Sequence, residues 1–251
     1  VALTTIGFNA GGFDQAGAYY NVIEYVTFNT GGNTSDWGDL TNSVMTLAGV
    51  SSTTRGLWAG GTTDGASTGA VNVIQYLSLT STGNATDFGD LSNVRRRLSS
   101  TSNTTRGVWG GGLDGSGGSE TNIMEYSTIA STGNVTDFGD LLATEQQMGS
   151  GVAASSTRGL FMGGVSSDVI QYITIGSTGD ATDFGDLSAG VNLLSSTSNA
   201  TRAVSAGGSS ITNVIDYVTI GSTGDATDFG DLTVARYNFT ACGSAQGGLT
   251  P

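Results

Sequence analysis

Lysine and histidine are both missing from this 251-residue chain, proline occurs once, at Pro251, and cysteine once, at Cys242. Each absence removes a class of behaviour. Without histidine, any serine or cysteine nucleophile lacks its commonest activating base. A single cysteine cannot form an internal disulfide, so the fold must hold without covalent staples and Cys242 is expected to serve as a small buried residue. One terminal proline excludes collagen and proline-rich linkers, which leaves turns and close backbone contacts as the work of the 41 glycines. No run of eighteen apolar residues occurs, so no membrane insertion is expected. The opening "VALTTIGFNAGG" has no charged leader region, and the missing initiator methionine points to trimming or an excerpt.

Charge narrows the partners. Acidic residues number 21 against 8 basic ones, a formal net charge of -13, which repels a phosphate backbone that needs cationic neutralisation, so no nucleic acid partner is expected. All the cations are arginine, whose flat forked guanidinium suits fixed structural pairing.

What is present is a repeat. The stretch "STGNATDFGDL" at residues 81–91 returns with small changes, giving Asp87-Phe88-Gly89, Asp137-Phe138-Gly139, Asp183-Phe184-Gly185 and Asp228-Phe229-Gly230, with Asp36-Trp37-Gly38 as a variant copy. Asp-Phe-Gly is also a kinase metal-holding triplet, but that chemistry uses one copy together with a phosphate-holding lysine, and there is no lysine here. Aligned on the second aspartate (Asp39, Asp90, Asp140, Asp186, Asp231), the copies are separated by 51, 50, 46 and 45 residues, the period range of propeller blades.

Each unit reads as four short strands, a to d: a Ser/Thr-rich stretch, a stretch ending in Gly-Gly, a Tyr-bearing stretch and the Asp-Phe-Gly-Asp stretch. The "STGN" or "STGD" segments supply residues that accept positive φ and so make tight turns between c and d. The c strands are apolar at neighbouring positions, which suits sheets covered on both faces. The expected fold is therefore all-β, a five-bladed β-propeller of four-stranded antiparallel blades forming one domain over residues 1–251. Repeats run approximately over 1–47, 48–98, 99–148, 149–194 and 195–239. Residues 240–251 are expected to complete the first blade beside the N-terminal strand and close the ring without an exposed edge. Trp37, Phe88, Phe138, Phe184 and Phe229 should pack between adjacent blades, each worth about 1.5–3 kcal/mol when buried. Tyr25, Tyr76, Tyr126, Tyr172 and Tyr217 should join them.

The Gly-Gly pairs (Gly60-Gly61, Gly111-Gly112, Gly163-Gly164, Gly207-Gly208), the later tyrosine and the outer aromatic resemble the kelch type of propeller repeat, over essentially the whole chain. Phenylalanine stands where kelch repeats usually carry tryptophan in four copies. The "STGNATDFGDL" wording looks more like repeat proteins encoded by marine tailed bacteriophages. That resemblance implies a virion or tail-fibre component, located in the virion once assembled and in the host cytoplasm during synthesis, with a host cell-surface glycan or other virion proteins as partners.

The two faces of such a ring differ in sequence. The a–b turns carry a recurrent arginine (Arg55, Arg106, Arg158, Arg202), and the c–d turns keep the Gly-Asn or Gly-Asp pair. On the opposite face the b–c loops read "FDQAGAYYN", "TTDGASTGAVN", "LDGSGGSETN", "VSSD" and "SSITN", and the d–a loops vary before a fixed apolar anchor (Leu47, Leu98, Met148, Leu194, Phe239). Loops on a rigid frame are where recognition usually sits. The planar and aromatic groups there, Tyr19, Tyr20, Arg96, Arg97, Gln146, Gln147, Tyr237 and Asn238, form the expected ligand-binding set, suited to sugar stacking and hydrogen bonding.

Catalytic and metal roles find little support. The inner "SSTSNT" and "SSTSNA" strands project no acid for a glycosidase pair, and the repeated aspartates, three apart on a strand, point to opposite faces unless the intervening glycine bends the chain. They are expected to hold backbone amides or an arginine, the first locally and the second on a neighbouring strand or blade. No cofactor, no metal and no enzymatic activity are expected. The Asn-x-Ser/Thr triplets at Asn33, Asn84, Asn103, Asn134, Asn199 and Asn238 are read as turn composition, not as glycan acceptors.

Overall fold

A computed structural model describes residues 6–14, 16–115, 117–149, 151–209 and 212–241. The protein is all-β, a five-bladed propeller of antiparallel blades, four of them four-stranded and the first with three described strands, and among the described residues the one helical element is a short 3-10 turn at Ser67–Gly69. The second blade runs Ala48–Ser51, Arg55–Ala59, Val73–Ser78, Thr86–Asp90 in simple meander order, and the third, fourth and fifth repeat that order up to Thr227–Asp231. The first blade contributes Ile6–Ala10, Val22–Thr27 and Ser35–Asp39. Its expected innermost strand falls largely on residues 242–251, which with Cys242 lie outside the described residues.

The Asp-Phe-Gly motif forms a β-bulge. Ile74 pairs with Gly89 and Gln75 with Asp87, so Phe88 is the extra residue of the outer strand and turns toward the next blade. Gly89 has φ +149, and a Cβ there would lie 2.3 Å from the carbonyl oxygen of Gly133 in the next blade, so only glycine permits that approach. The Gly133 amide donates to the Phe88 carbonyl at 2.7 Å, Asn134 Oδ1 accepts from the Asp90 amide at 3.0 Å, and the Val135 amide donates to the Asp90 carbonyl at 3.0 Å. The same set joins the first blade to the second, the third to the fourth and the fourth to the fifth. This corrects the expected role of the second aspartate, while the first accepts a local amide as expected at Asp228, from Gly230 at 2.9 Å. The backbone of the second aspartate carries the inter-blade bonds, and its partner is the turn Asn or Asp of the next repeat.

The recurrent arginines reinforce three of these seams. Arg55, Arg106 and Arg158 each stack over the tyrosine of their own blade, 4.1–4.6 Å from the ring centroid. Each also donates to a carbonyl of the following blade, that of Ile129, Ile175 or Ile220. On the c strands Gln75, Glu125, Gln171 and Asp216 reach back to accept the amide of Thr41, Ser92, Leu142 or Ser188 in the preceding repeat.

Hydrogen bonding between inner strands gives their Ser/Thr composition a use. Ser99 and Ser100 donate to the carbonyls of Gly149 and Gly49, and Ser196 and Ser198 to those of Gly151 and Ala154, so short hydroxyls satisfy backbone groups of flanking blades. The turn asparagines Asn103 and Asn199 accept the amides two and three residues on, a local structural use.

Trp37, Phe88, Phe138 and Phe184 are buried between blades as the repeat predicts. Phe229 is not: it is 55% exposed, against 2% for Phe88, Phe138 and Phe184. Its own blade packs normally, with Tyr217 edge-on at 5.8 Å. What differs is the neighbour. No atom lies within 4 Å of a Cβ built on Gly230, and Phe28, at the position of the buried Leu79, is 41% exposed. Among the described residues the fifth and first blades do not pack together as the other four pairs do.

Candidate ligand-binding face

The d–a and b–c loops gather on one face around the axis. Each d–a loop places one non-glycine residue in the left-handed region: Thr46, Arg97, Gln147, Leu193 and Asn238, with φ between 54 and 58°. All stand one residue before the apolar anchor, so the geometry belongs to the position and not to the residue type. Such conformations cost on the order of 1–3 kcal/mol each and persist where surrounding structure enforces them.

A relay of backbone bonds enforces them here. The Arg97 amide donates to the Thr46 carbonyl at 3.1 Å, Gln147 to Arg97 at 3.3 Å, Leu193 to Gln147 at 2.9 Å and Asn238 to Leu193 at 2.9 Å. Five loops from five blades are thus stitched into one arc, whose two ends, Thr46 and Asn238, also line a cavity of about 700 Å³ beside the inner strands.

Side chains extend the relay. Arg97 Nη1 donates to Gln146 Oε1 at 3.2 Å, Gln146 Nε2 to Glu120 Oε1 at 2.9 Å, and Asn192 Nδ2 to Gln147 Oε1 at 2.9 Å. Partial burial, with Arg96 alongside, pulls the Arg97 pKa below its ordinary value, though a guanidinium remains charged at neutral pH. Beneath the same loop Arg95 is buried in an ion pair with Glu125 and donates at 3.0 Å to the carbonyls of Gly111 and Ile123. Its pKa is lowered by burial and partly restored by Glu125. This pair bolts the loop that carries Arg97 to the third blade.

The expected binding residues divide into three groups. Arg97, Gln146, Gln147 and Asn238 come together along the arc of d–a loops, with exposed Tyr237 next to Asn238. Tyr19 and Tyr20 sit on the first blade's b–c loop. There Tyr19 stacks on Phe13 at 6.3 Å, with its hydroxyl beside Gly65 of the second blade, and Tyr20 donates to Asp14 at 2.8 Å. The Asp14 carboxyl is held below its ordinary value, first by the Ala18 amide and then by the Tyr20 hydroxyl. Arg96 departs from expectation. It is buried, because Arg95–Arg96 pair with Leu113–Asp114 in a small two-stranded sheet, and its Nη2 reaches Ser67.

Glu120, Asn192 and Phe13 also belong to the face without having stood in the expected set. Phe13 carried a readable signal, an aromatic in a variable loop, and is 55% exposed. Glu120 is recognisable only from its contact with Gln146.

Among the described residues no group of three or more Asp, Glu, Cys or His side chains is close enough to hold a metal ion. The polar groups of the face are amides, a guanidinium, phenols and the carboxylates of Glu120 and Glu145, which bind by hydrogen bonding and stacking. No family model matches the chain, and no curated protein matches it by sequence.

Proposed function

We propose that this propeller is a non-enzymatic binding module that recognises a cell-surface glycan through its variable loop face, in the role of a bacteriophage adhesin carried on the virion. The propeller fold is compatible with a binding module, but fold alone selects no ligand. The observation that carries the reading is the stitched arc of left-handed residues at the axis, with Arg97, Gln146, Gln147 and Asn192 joined above it and Tyr237 exposed at its edge. It is a preorganised set of hydrogen-bonding groups beside an exposed ring, of the kind that sugar hydroxyls and ring faces fit. The kelch-like repeat and the phage-like wording of residues 81–91 support the biological setting. A structural virion role is the second reading, favoured by the unpacked face of the fifth blade.

A glycan array with the purified protein tests the proposal, repeated with Arg97→Ala and Tyr237→Ala. Binding to a defined glycan class that both substitutions weaken at least about tenfold supports it. An array with no signal above background for the folded protein refutes the glycan reading.

A further inference from the structure

The four packed seams define a set of complementary groups, and the unpacked faces of the fifth and first blades carry the two halves of that set. The fifth blade offers Phe229 and its carbonyl, the amide and carbonyl of Asp231, the Arg202 guanidinium over Tyr217 at 4.2 Å, and the Thr233 amide. By repeat position, the first blade offers what these groups meet elsewhere: the Gly32 amide, the Asn33 side chain, the Thr34 amide, the Phe28 carbonyl and the Glu24 carboxylate. Among the described residues none of these pairs is made.

Charge fits as well. In the second seam Arg95 pairs with Glu125. The same two positions of the fifth seam are held by Arg236, which is exposed, and Glu24.

We propose that these two faces form a head-to-tail docking surface whose occupant is a second copy of this chain, the fifth blade of one copy seating against the first blade of the next. Closing the ring on itself would require at least one of the four packed seams to yield, each fixed by a buried aromatic and several hydrogen bonds, because packed interfaces do not deform continuously. Docking a second copy requires none of them to move. The contact is heterologous, each copy presenting one face of each kind, so association does not stop at two unless the assembly closes. This inference concerns the blade edges and is independent of any ligand at the loop face.

Charge reversal tests it. Sedimentation velocity of the wild-type chain over a concentration series reaching about 100 µM is expected to show growing species. Glu24→Arg and Arg236→Glu, each alone, set like charges against each other and should weaken association at least about tenfold, while circular dichroism and melting temperature stay at the wild-type value. A 1:1 mixture of the two variants should associate again, since both junctions in an alternating assembly then pair opposite charges. A wild type that sediments as a monomer throughout overturns the proposal. So does a mixture that behaves as the sum of its separate variants, the result expected if each chain closed on itself.

Discussion

The Arg106 guanidinium lies 4.1 Å from the centroid of the Tyr126 ring in its own blade while its Nη1 donates at 2.9 Å to the Ile175 carbonyl of the next. One side chain thus binds a blade internally and to its neighbour. The stack needs a delocalised plane and the bond needs a directed donor, so lysine supplies neither in the same geometry. Arg106→Ala is expected to lower stability by about 1.5–3 kcal/mol, the range of a hydrogen bond made by a charged group, and Arg106→Lys to recover less than half of the loss. Urea titration of both variants measures this.

Phe138 and Phe229 stand in the same five-residue wording, yet one is 2% and the other 55% exposed. Phe138→Ala is expected to cost about 3–5 kcal/mol, as a cavity opens between the third and fourth blades. Phe229→Ala should change monomer stability by no more than about 0.5 kcal/mol, the usual range for an exposed position. Equal losses for the two would mean that the fifth seam is packed in solution.

That contrast marks the limit of what the sequence conveys. The blade count, strand order and buried role of Phe88 follow from periodicity and local composition, because each depends on groups within one repeat. The exposure of Phe229 does not, since its environment is set by whether a distant blade arrives. Arg96 is similar: its neighbours in sequence mark a polar loop, but pairing with Leu113–Asp114 takes it below the surface. The left-handed residues of the d–a loops were hidden for another reason. Only Asn238 is of a type that favours that conformation; Thr46, Arg97, Gln147 and Leu193 adopt it because the relay of inter-loop bonds demands it.

Gly89 and Gly230 separate backbone strain from steric contact. Both have positive φ, +149 and +137, but a Cβ on Gly89 would meet the Gly133 carbonyl oxygen at 2.3 Å while one on Gly230 would meet nothing within 4 Å. Gly89→Ala should therefore cost about 3 kcal/mol or more through a forced shift of the second seam. Gly230→Ala should cost only the conformational part, about 1–3 kcal/mol. Paired thermal melts measure the difference.

The Arg95–Glu125 pair offers a test with built-in rescue. Glu125→Ala leaves Arg95 buried without its counter-charge, at an expected cost of about 3–5 kcal/mol. The preceding seam holds Val44 and Gln75 at the same two positions, and Gln75 still accepts the Thr41 amide at 2.7 Å. The double variant Arg95→Val with Glu125→Gln copies that solution and should recover most of the loss. A double variant as unstable as Glu125→Ala would show that the guanidinium bonds to Gly111 and Ile123, not the buried charge, dominate.

Glu145 provides a pH signature at the binding face. Burial raises its pKa above the ordinary 4.5, and the nearby Glu120 pushes the same way, while a hydrogen bond from Ser167 opposes both. A carboxyl with a raised folded-state pKa holds its proton more tightly folded than unfolded, so its contribution to stability is greatest below 4.5 and is lost as pH rises through the folded value. At pH 7 the ionised group is at its least favourable. Glu145→Gln should therefore raise the melting temperature at pH 7, by up to about 2–4 °C if the gain reaches about 1 kcal/mol in a domain of this size. The gain should shrink as pH falls toward 4, where the wild-type carboxyl is protonated in both states. A gain that is constant across that interval would assign the effect to packing against Gly164 instead of charge, since a Cβ on Gly164 would fall against the Glu145 carboxylate.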